Sequence, residues 1–228
     1  MDPKANSAAP RLVLRYRPAQ RLVHWIGVAT FLSLLVSGCA LIVPPAWFVA
    51  AGPATRWIHR AGAVVFLALP VAYAVAMPRR AWELLVECLS YSHDDRAWLR
   101  ALPGYLLGRT RGLPPQGRLN AGQKLHHLGT FAMFVTVSGS GLLLWLAKGH
   151  LGPTGLALAA SVHDLSMLGL VVLLAGHVYF TFLYGAFSGM RTGWVREEYA
   201  RMEHGRWLES LPPEAFRGPG ARSERRSG

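Results

Sequence analysis

Histidines lie inside apolar stretches of this 228-residue chain, where a polar side chain is costly and usually serves a bound group. His163 and His177 share one stretch and are fourteen residues apart, which is about 21 Å and close to four turns along a helix. Both imidazoles therefore leave that helix on nearly the same side, one towards each face of a membrane. His24 and His59 lie in two further stretches, so the question is which histidines face each other.

The elements that hold these histidines are four apolar runs, each near the roughly 20 residues that a membrane-crossing helix needs. The runs cover about residues 22–43, 57–77, 125–147 and 161–184. The composition agrees, since 52% of the residues are hydrophobic and only 16% are charged, against about 25% charged residues in soluble domains. We therefore predict an all-α membrane protein with a four-transmembrane-helix bundle over residues 22–186.

The net charge of +12 is concentrated outside the four runs. The tail 1–21, the loop 78–124 and the residues after Tyr184 together hold 21 of the 24 lysines and arginines. Because cytoplasmic loops are enriched in positive charge, both termini are predicted to be cytoplasmic. The same distribution argues against nucleic-acid binding as the main role, and the first run is predicted to be a permanent signal anchor.

The segments outside the membrane carry separate expectations. Residues 1–21 are expected to form a cytoplasmic tail, 187–211 one amphipathic cytoplasmic helix, and 212–228 a disordered tail. In the 78–124 loop apolar residues recur at helical spacing, which predicts amphipathic helical segments. These segments could lie on the membrane surface or pack over the cytoplasmic end of the bundle. The two cysteines fall in different elements, so we expect no disulfide between them. Two cysteines are also too few to bind an iron–sulfur cluster alone.

Topology pairs the four membrane histidines by depth. His24 and His177 lie towards the cytoplasmic ends of the first and fourth runs, whereas His59 and His163 lie towards the outer face. Two pairs at two levels of a four-helix bundle are what two b-type haems with two histidine ligands each require. The predicted ligands are His24 and His177 for the inner haem iron, and His59 and His163 for the outer haem iron.

Two further groups of residues suit such haems. The residues at the depth of the haem propionates, which interfacial anchoring would also explain, are Arg21, Arg60 and Lys124. The small residues that would let a flat macrocycle approach the helices, or serve ordinary helix packing, are Gly38, Gly62, Gly139, Gly141, Gly169 and Gly176.

Five histidines and one acid lie outside this scheme. His126 and His127 open the third run, where either could line a site or contact a propionate. Asp164 is the one acid inside a run and could handle protons or simply reach water. The histidines expected to be solvated are His93, His150 and His204.

Three motifs then make the chain resemble a known family. RLVHW at 21–25, WIH at 57–59 and NAGQK at 120–124, together with the spacing of the last two membrane histidines, resemble the cytochrome b (gamma) subunits of respiratory formate dehydrogenases. The likeness continues in Gly189, Met190, Gly193, Arg206 and Trp207, so it covers about residues 15–210.

The resemblance implies a dihaem subunit of a bacterial inner-membrane complex. Such a subunit takes electrons from an iron–sulfur (beta) partner at the outer face and passes them through two haem b groups to menaquinone or ubiquinone. Formate itself would be oxidised on the catalytic (alpha) subunit, not on this chain. The quinone-binding positions of that family correspond here to His177, Asn120 and Gly122, and Asn120 also suits a helix N-cap.

Three alternatives stay open from the sequence. The electron donor could instead be a hydrogenase or a thiosulfate reductase, whose cytochrome b subunits share the bundle. A transporter could use His163, Asp164 and His177 as a proton or metal path, although such proteins bind near the midplane. A membrane enzyme with a non-haem metal needs its ligands at one level, which a separation of about 21 Å on one helix opposes.

Overall fold

The structure is a computed structural model that describes residues 10–42 and 53–218. These residues form eight α-helices, three short strands and one 3-10 turn. The helices are α1 (Pro18–Ile42), α2 (Pro53–Ala76), α3 (Pro78–Leu89), α4 (His93–Tyr105), α5 (Ala121–Leu146), α6 (Pro153–Leu183), α7 (Phe187–Thr192) and α8 (Glu197–Glu209). The strands are β1 (Leu12–Leu14), β2 (Trp194–Arg196) and β3 (Phe216–Arg217), and the 3-10 turn is Pro213–Ala215.

Four of the helices, α1, α2, α5 and α6, are long and apolar enough to cross a membrane. They contain 25, 24, 26 and 31 residues, and large apolar side chains such as Val36, Val75 and Leu146 are exposed along them. Exposed apolar surface of this extent is expected against lipid acyl chains rather than water. By length and composition, the prediction of four membrane-spanning helices is confirmed; the end of the first span, at residue 43, lies outside the described residues.

The four helices begin before the apolar runs that predicted them. α1, α2 and α5 start four residues earlier than expected, and α6 starts eight residues earlier. Pro18, Pro53 and Pro153 are the first residues of three of these helices, where the missing N–H costs nothing and the fixed φ suits a helix. A hydropathy criterion detects the apolar middle of such a helix and omits its first turn.

Residues 22–86 and 126–176, apart from 43–52, form one compact unit built from the membrane helices. Its helices approach closely at small residues, as membrane helices generally do. A Cβ added to Gly169 would lie only 2.6 Å from the Met133 sulfur. This glycine therefore allows α6 to pack against α5.

Residues 10–21, 87–125 and 177–218 form a second compact unit with its own buried core. It contains an antiparallel sheet of strand order β2-β1-β3. Val13 and Val195 pair between β1 and β2, and both are almost fully buried in a cluster that also contains residues of α8. The sheet was not expected, because residues 12–14 were assigned to a cytoplasmic tail; residues 1–9 of that tail lie outside the described residues.

The single amphipathic helix expected over 187–211 is wrong. α7 ends at Thr192, since Gly193 adopts a left-handed conformation with φ of 92°, and β2 then separates α7 from α8. The disorder expected over 212–228 is also wrong for residues 213–217, which form the 3-10 turn and β3. The remainder of that expectation, residues 219–228, lies outside the described residues.

The helical spacing noticed in the 78–124 loop corresponds to α3 and α4. α4 begins with a capping box, in which the Ser92 hydroxyl accepts from the Asp95 N–H and the Asp95 carboxylate accepts from the Ser92 N–H. Trp98 and Tyr105 on α4 are buried against Ala121 at the start of α5. The apolar face of α4 is therefore used inside the second unit and not on a membrane surface.

We predict that Gly193→Ala destabilises the protein, because a Cβ at this position would lie 2.7 Å from the Tyr16 carbonyl oxygen and the backbone is left-handed. A non-glycine residue in such a conformation costs about 1–3 kcal/mol. The measurement is the thermal unfolding midpoint in detergent. The matched control is Gly149→Ala, whose Cβ would meet nothing within 4 Å; equal midpoints for the two variants would contradict the prediction.

Candidate functional site

The predicted outer pair of histidines comes together in the unit formed by the membrane helices. His59 lies on α2 and His163 on α6. Their ring centroids are 6.3 Å apart, and the ring planes are inclined by 68°. Two imidazoles from different helices thus face each other across a short gap.

His59 is held by a serine of α1. The Ser37 hydroxyl lies 2.9 Å from His59 Nδ1 and also 2.7 Å from the carbonyl oxygen of Ser33 in its own helix. A hydroxyl has one hydrogen, and a carbonyl oxygen can only accept. Ser37 therefore donates to Ser33 and accepts from a protonated His59 Nδ1, which leaves Nε2 unprotonated and able to bind a metal.

His163 is held in the same way by α5. The Ser140 hydroxyl lies 2.6 Å from the Thr136 carbonyl oxygen and 3.3 Å from His163 Nδ1. The Val137 carbonyl oxygen lies closer to that nitrogen, at 3.0 Å. Since a carbonyl cannot donate, His163 Nδ1 is also the protonated nitrogen. His59 likewise has a backbone hydrogen bond, to Leu34, beside its bond to the serine.

A glycine next to each serine lets the imidazole lie against the helix backbone. A Cβ on Gly38 would be 3.4 Å from His59 Cε1, and one on Gly141 would be 3.0 Å from His163 Cε1. These two glycines make room for the histidine rings, and their role in letting a macrocycle approach stays a prediction. A side chain at Gly141 would push His163 away from its present position.

The sequence reading missed an internal repeat that contains these residues. Ser37-Gly38 recurs 103 residues later as Ser140-Gly141, and the hydrogen-bonded histidines follow 22 and 23 residues after their serines. The start of α1 and the start of α5 correspond as well, since Arg21-Leu22 and His24 recur with the same offset as Lys124-Leu125 and His127. A comparison of the chain with itself would have revealed the serines.

The geometry of this pair fits a shared iron. A metal–imidazole nitrogen bond is about 2 Å long and the ring centre lies about 1.1 Å beyond the nitrogen, so two rings on one iron have centroids about 6.3 Å apart. The observed separation is 6.3 Å. With Nδ1 of both rings bonded to the protein, His59 and His163 present the nitrogens that an axial haem site needs.

The three predicted propionate partners differ in what they already bind. The Arg60 guanidinium lies over the rings of Trp57 and Trp145, with distances of 5.6 and 5.5 Å to the ring centroids. Arg21 donates to the carbonyl oxygens of Met190 and Arg191 near the end of α7. Of these two arginines, Arg60 is the one that lies beside the outer histidine pair, one residue after His59.

Lys124, the third of them, is buried in an ion pair. Its Nζ lies 2.9 Å from Asp95 Oδ2 and 2.9 Å from the Ser90 carbonyl oxygen. Burial opposes ionisation of Asp95, but the bonds from Lys124 and Ser92 outweigh it and lower the pKa of that carboxyl. Lys124 therefore joins α5 to the first turn of α4 and to the residues before it, and a propionate contact for it stays a prediction.

The predicted inner ligands, His24 and His177, lie on α1 and α6. His24 is half-buried on α1, with its ring centroid 5.2 Å from that of Trp25. His177 is exposed on α6, and its carbonyl oxygen accepts from the Thr181 hydroxyl. Because the two residues belong to different units, their pairing stays a prediction.

Asn120 acts as the N-cap of α5. Its Oδ1 accepts from the Gln123 N–H at 2.8 Å, and Gln123 Oε1 accepts from the Asn120 N–H at 3.2 Å. One amide hydrogen of Asn120 goes to the Glu203 carboxylate at 2.6 Å. The residue is 2% exposed, so its structural role is established by these bonds and its bond to a quinone stays a prediction.

Gly122 is needed by a neighbouring ring. A Cβ there would lie 2.7 Å from Trp98 Cη2, so the first turn of α5 can rest on Trp98 only without a side chain. This requirement is independent of any ligand. Sequence reasoning missed Trp98 as the reason for this glycine, because the two residues belong to different helices.

Glu203 is the principal polar residue that the sequence reading missed. Its Oε2 accepts from the Tyr105 hydroxyl at 3.0 Å and from Asn120, while Oε1 is buried without a hydrogen-bond partner among the described residues. Burial raises the pKa of Glu203, against the opposing effect of the bonds from Tyr105 and Asn120. An acid five residues from Glu198 on a charged helix gives no sequence signal of burial.

The remaining histidines and Asp164 occupy varied environments. His126 Nε2 lies 3.2 Å from the Leu173 carbonyl oxygen, so that ring faces α6. His204 was expected to be solvated, which is wrong: it is 0% exposed, and its Nδ1 lies 3.1 Å from the Gly117 carbonyl oxygen. Asp164 is exposed, as are His93 and His150.

Comparison with known proteins shows what this chain is similar to. A sequence profile described as prokaryotic cytochrome b561 matches residues 15–193. The "Formate dehydrogenase, cytochrome b556(fdo) subunit" of Escherichia coli (strain K12) is 24% identical over 204 residues, which are 87% of this chain and 93% of that protein. The "Formate dehydrogenase, cytochrome b556 subunit" of Haemophilus influenzae is 24% identical over 199 residues, 86% of this chain and 82% of that protein.

A third relative, the "Formate dehydrogenase, nitrate-inducible, cytochrome b556(Fdn) subunit" of Escherichia coli (strain K12), is 21% identical over 205 residues, 88% of this chain and 92% of that protein. The match to the family profile extends over most of the chain and includes all four membrane histidines. A cytochrome b carries haem b, for which the His59–His163 pair has the required separation. With its four apolar helices and this match, the chain belongs to the prokaryotic cytochrome b561 family.

Proposed function

We propose that this chain is the dihaem cytochrome b subunit of a formate dehydrogenase, which passes electrons from an iron–sulfur subunit through two haems to membrane quinone. The observation that carries the proposal is the His59–His163 pair, with its ring separation of 6.3 Å and its two bonded Nδ1 atoms. The names of the relatives, each aligned over most of its length, support formate dehydrogenase as the complex.

In this proposal the two haem sites lie at different depths. His59 and His163 hold the outer haem, with Arg60 next to a propionate, and His24 and His177 hold the inner haem. Each haem iron supplies one-electron chemistry when bound, cycling between ferric and ferrous. The fourteen residues between His163 and His177 correspond to about 21 Å of helix, so α6 serves both levels.

The distribution of positive charge indicates the orientation of the chain in the membrane and therefore the direction of electron transfer. The excess of lysine and arginine near α3, α4 and the termini supports a cytoplasmic position for that side in the bacterial inner membrane. The outer pair then faces the iron–sulfur (beta) subunit and, behind it, the catalytic (alpha) subunit. The quinone would lie near His177, Asn120 and Gly122, where it can take protons from the cytoplasm.

The proposal is tested by purifying the tagged chain with its bound partners from bacterial membranes. We expect b-type absorbance on reduction, two haems per chain, and co-purification of an iron–sulfur and a formate-oxidising subunit. Haem reduction by formate would identify the donor. A haem-bearing chain that co-purifies with a hydrogenase or a thiosulfate reductase would contradict the assigned donor and leave the haem sites standing.

We predict that His59→Ala and His163→Ala each halve the haem content and leave the inner haem in place, because each removes one of two axial ligands of the outer haem. The measurement is the haem-to-protein ratio from the pyridine haemochrome spectrum. His93→Ala is the matched control, since His93 is an exposed histidine. Full haem content in His59→Ala would contradict the ligand assignment.

We predict that Ser37→Ala and Ser140→Ala each raise the outer haem potential. Each substitution removes one acceptor for a histidine Nδ1–H, which makes the imidazole a weaker donor to ferric iron. A rise of about 60 mV corresponds to a tenfold change in the one-electron equilibrium. The shifts should stay below that value, because the backbone carbonyls of Leu34 and Val137 still accept from His59 and His163.

An optical redox titration of the two serine variants provides the measurement. Wild-type protein gives the reference potentials for both haems, and the inner haem serves as an internal control. An outer haem potential that stays at the wild-type value in both serine variants would contradict the assigned hydrogen bonds, even if both variants keep two haems.

A further inference from the structure

Glu203 is a buried acid that the haem sites do not use. The residue is 1% exposed on α8, and no ion pair joins it to a cation within residues 10–42 and 53–218. A buried carboxylate without a cation is costly, so such a group tends to take up a proton. In agreement, burial raises the pKa of Glu203, although the bonds from Tyr105 and Asn120 lower it.

The hydrogen bonds indicate which oxygen carries the proton. Oε2 already accepts two hydrogen bonds, from the Tyr105 hydroxyl and the Asn120 amide. Oε1 is buried and has no partner among the described protein atoms. The protonated acid therefore carries its hydrogen on Oε1, as a donor that the surrounding protein does not use.

The titratable groups around Glu203 are tyrosines, and they remain neutral near physiological pH. They come from three separate parts of the chain: Tyr105 on α4, Tyr184 after α6 and Tyr199 on α8. Burial, followed by the charge of Glu203, raises the pKa of all three, that of Tyr184 to about 12. Because a carboxyl ionises at lower pH than a phenol, Glu203 is the group of this cluster that loses its proton first as the pH rises.

The cluster is joined to the elements that the proposed quinone site uses. Asn120 precedes α5 and bonds directly to Glu203. Tyr105 packs on Phe180 and Tyr184, with ring centroids 5.3 and 4.4 Å apart. Those two aromatic residues follow His177 by three and seven positions, which places them on the same side of the helical path.

We propose that Glu203 is the proton donor for quinone reduction in this protein. The inference rests on the proposed function, since it needs a quinone near His177 and the start of α5. A quinone takes two electrons from the haems and two protons to become quinol. Glu203 gives the proton on Oε1 to a quinone oxygen, becomes a carboxylate held by Tyr105 and Asn120, and regains a proton from cytoplasmic water before the second transfer.

The test uses the full haem-loaded chain in membranes and needs no formate. The haems are reduced chemically, excess reductant is removed, and a short-chain quinone is added in a stopped-flow instrument while haem absorbance is followed from low to high pH. In wild type, oxidation should slow as the pH rises through the pKa of Glu203. Glu203→Gln should be oxidised at least about tenfold more slowly at neutral pH and should lose this pH dependence. General acids contribute about a hundredfold at the lower end of their range, so a tenfold loss is the minimum expected.

Glu198→Gln is the matched control, because Glu198 lies on the same helix and is exposed. It should keep the wild-type rate and pH profile. Oxidation of Glu203→Gln at the wild-type rate with the wild-type pH profile would overturn the inference and leave quinone reduction intact. If quinone fails to oxidise wild-type haems, the proposed function fails, and the role of Glu203 fails with it.

Tyr105→Phe separates proton donation from a purely structural role of Glu203. The Tyr105 hydroxyl stabilises the carboxylate form, so its loss should raise the pKa of Glu203 and move the pH inflection to higher pH. A structural anchor would leave the inflection unchanged. If Glu203→Gln loses its haems through misfolding, this shift decides the matter, and an unmoved inflection in haem-loaded Tyr105→Phe overturns the proposal.

Discussion

A serine hydroxyl has one hydrogen to donate, and both Ser37 and Ser140 donate it to a carbonyl of their own helix. Inside a membrane there is no water to offer the hydroxyl a different partner, so the preference is strong. Each serine oxygen can then only accept from the histidine of the next helix, so the Nδ1 of that histidine must carry the proton and donate it. This constraint fixes the tautomer of His59 and His163, and the capacity of both to bind iron depends on it.

The two compact units handle polar groups in different ways. In the unit of membrane helices, the hydroxyls of Ser37, Thr136 and Ser140 bond to backbone carbonyls of their own helices. In the other unit a pair of charges is buried, Lys124 with Asp95 at 2.9 Å. Such a pair compensates the loss of hydration only when both partners are held in place, and Asp95 is also held by the N–H and hydroxyl of Ser92.

The membrane half of the fold could be predicted from the sequence, because a run of about 20 apolar residues rarely forms anything except a membrane-spanning helix. The sheet could not: β1 has three residues and pairs with Trp194–Arg196, about 180 residues later in the chain. For the site, depth and topology were sufficient to pair His59 with His163. They could not show Ser37, Gly122 or Glu203 in their roles, since each depends on a contact between helices that are distant in sequence.

The internal repeat is followed closely at the outer level and broken at the inner one. Serine, glycine and histidine recur in both halves around the His59–His163 pair. Fourteen residues beyond His163 stands His177, whereas fourteen residues beyond His59 stands Tyr73. In the proposed function, electron uptake at the outer level involves no proton, so two similar halves are sufficient there. The proposed quinone reduction consumes protons, and a symmetric arrangement provides no place for a proton donor that serves one substrate. Phe180 at the end of α6 and Tyr184 just after it pack on Tyr105, which bonds to Glu203 on α8. The histidine without a counterpart thus lies at the end of α6 that is connected, through Tyr105, to the buried acid.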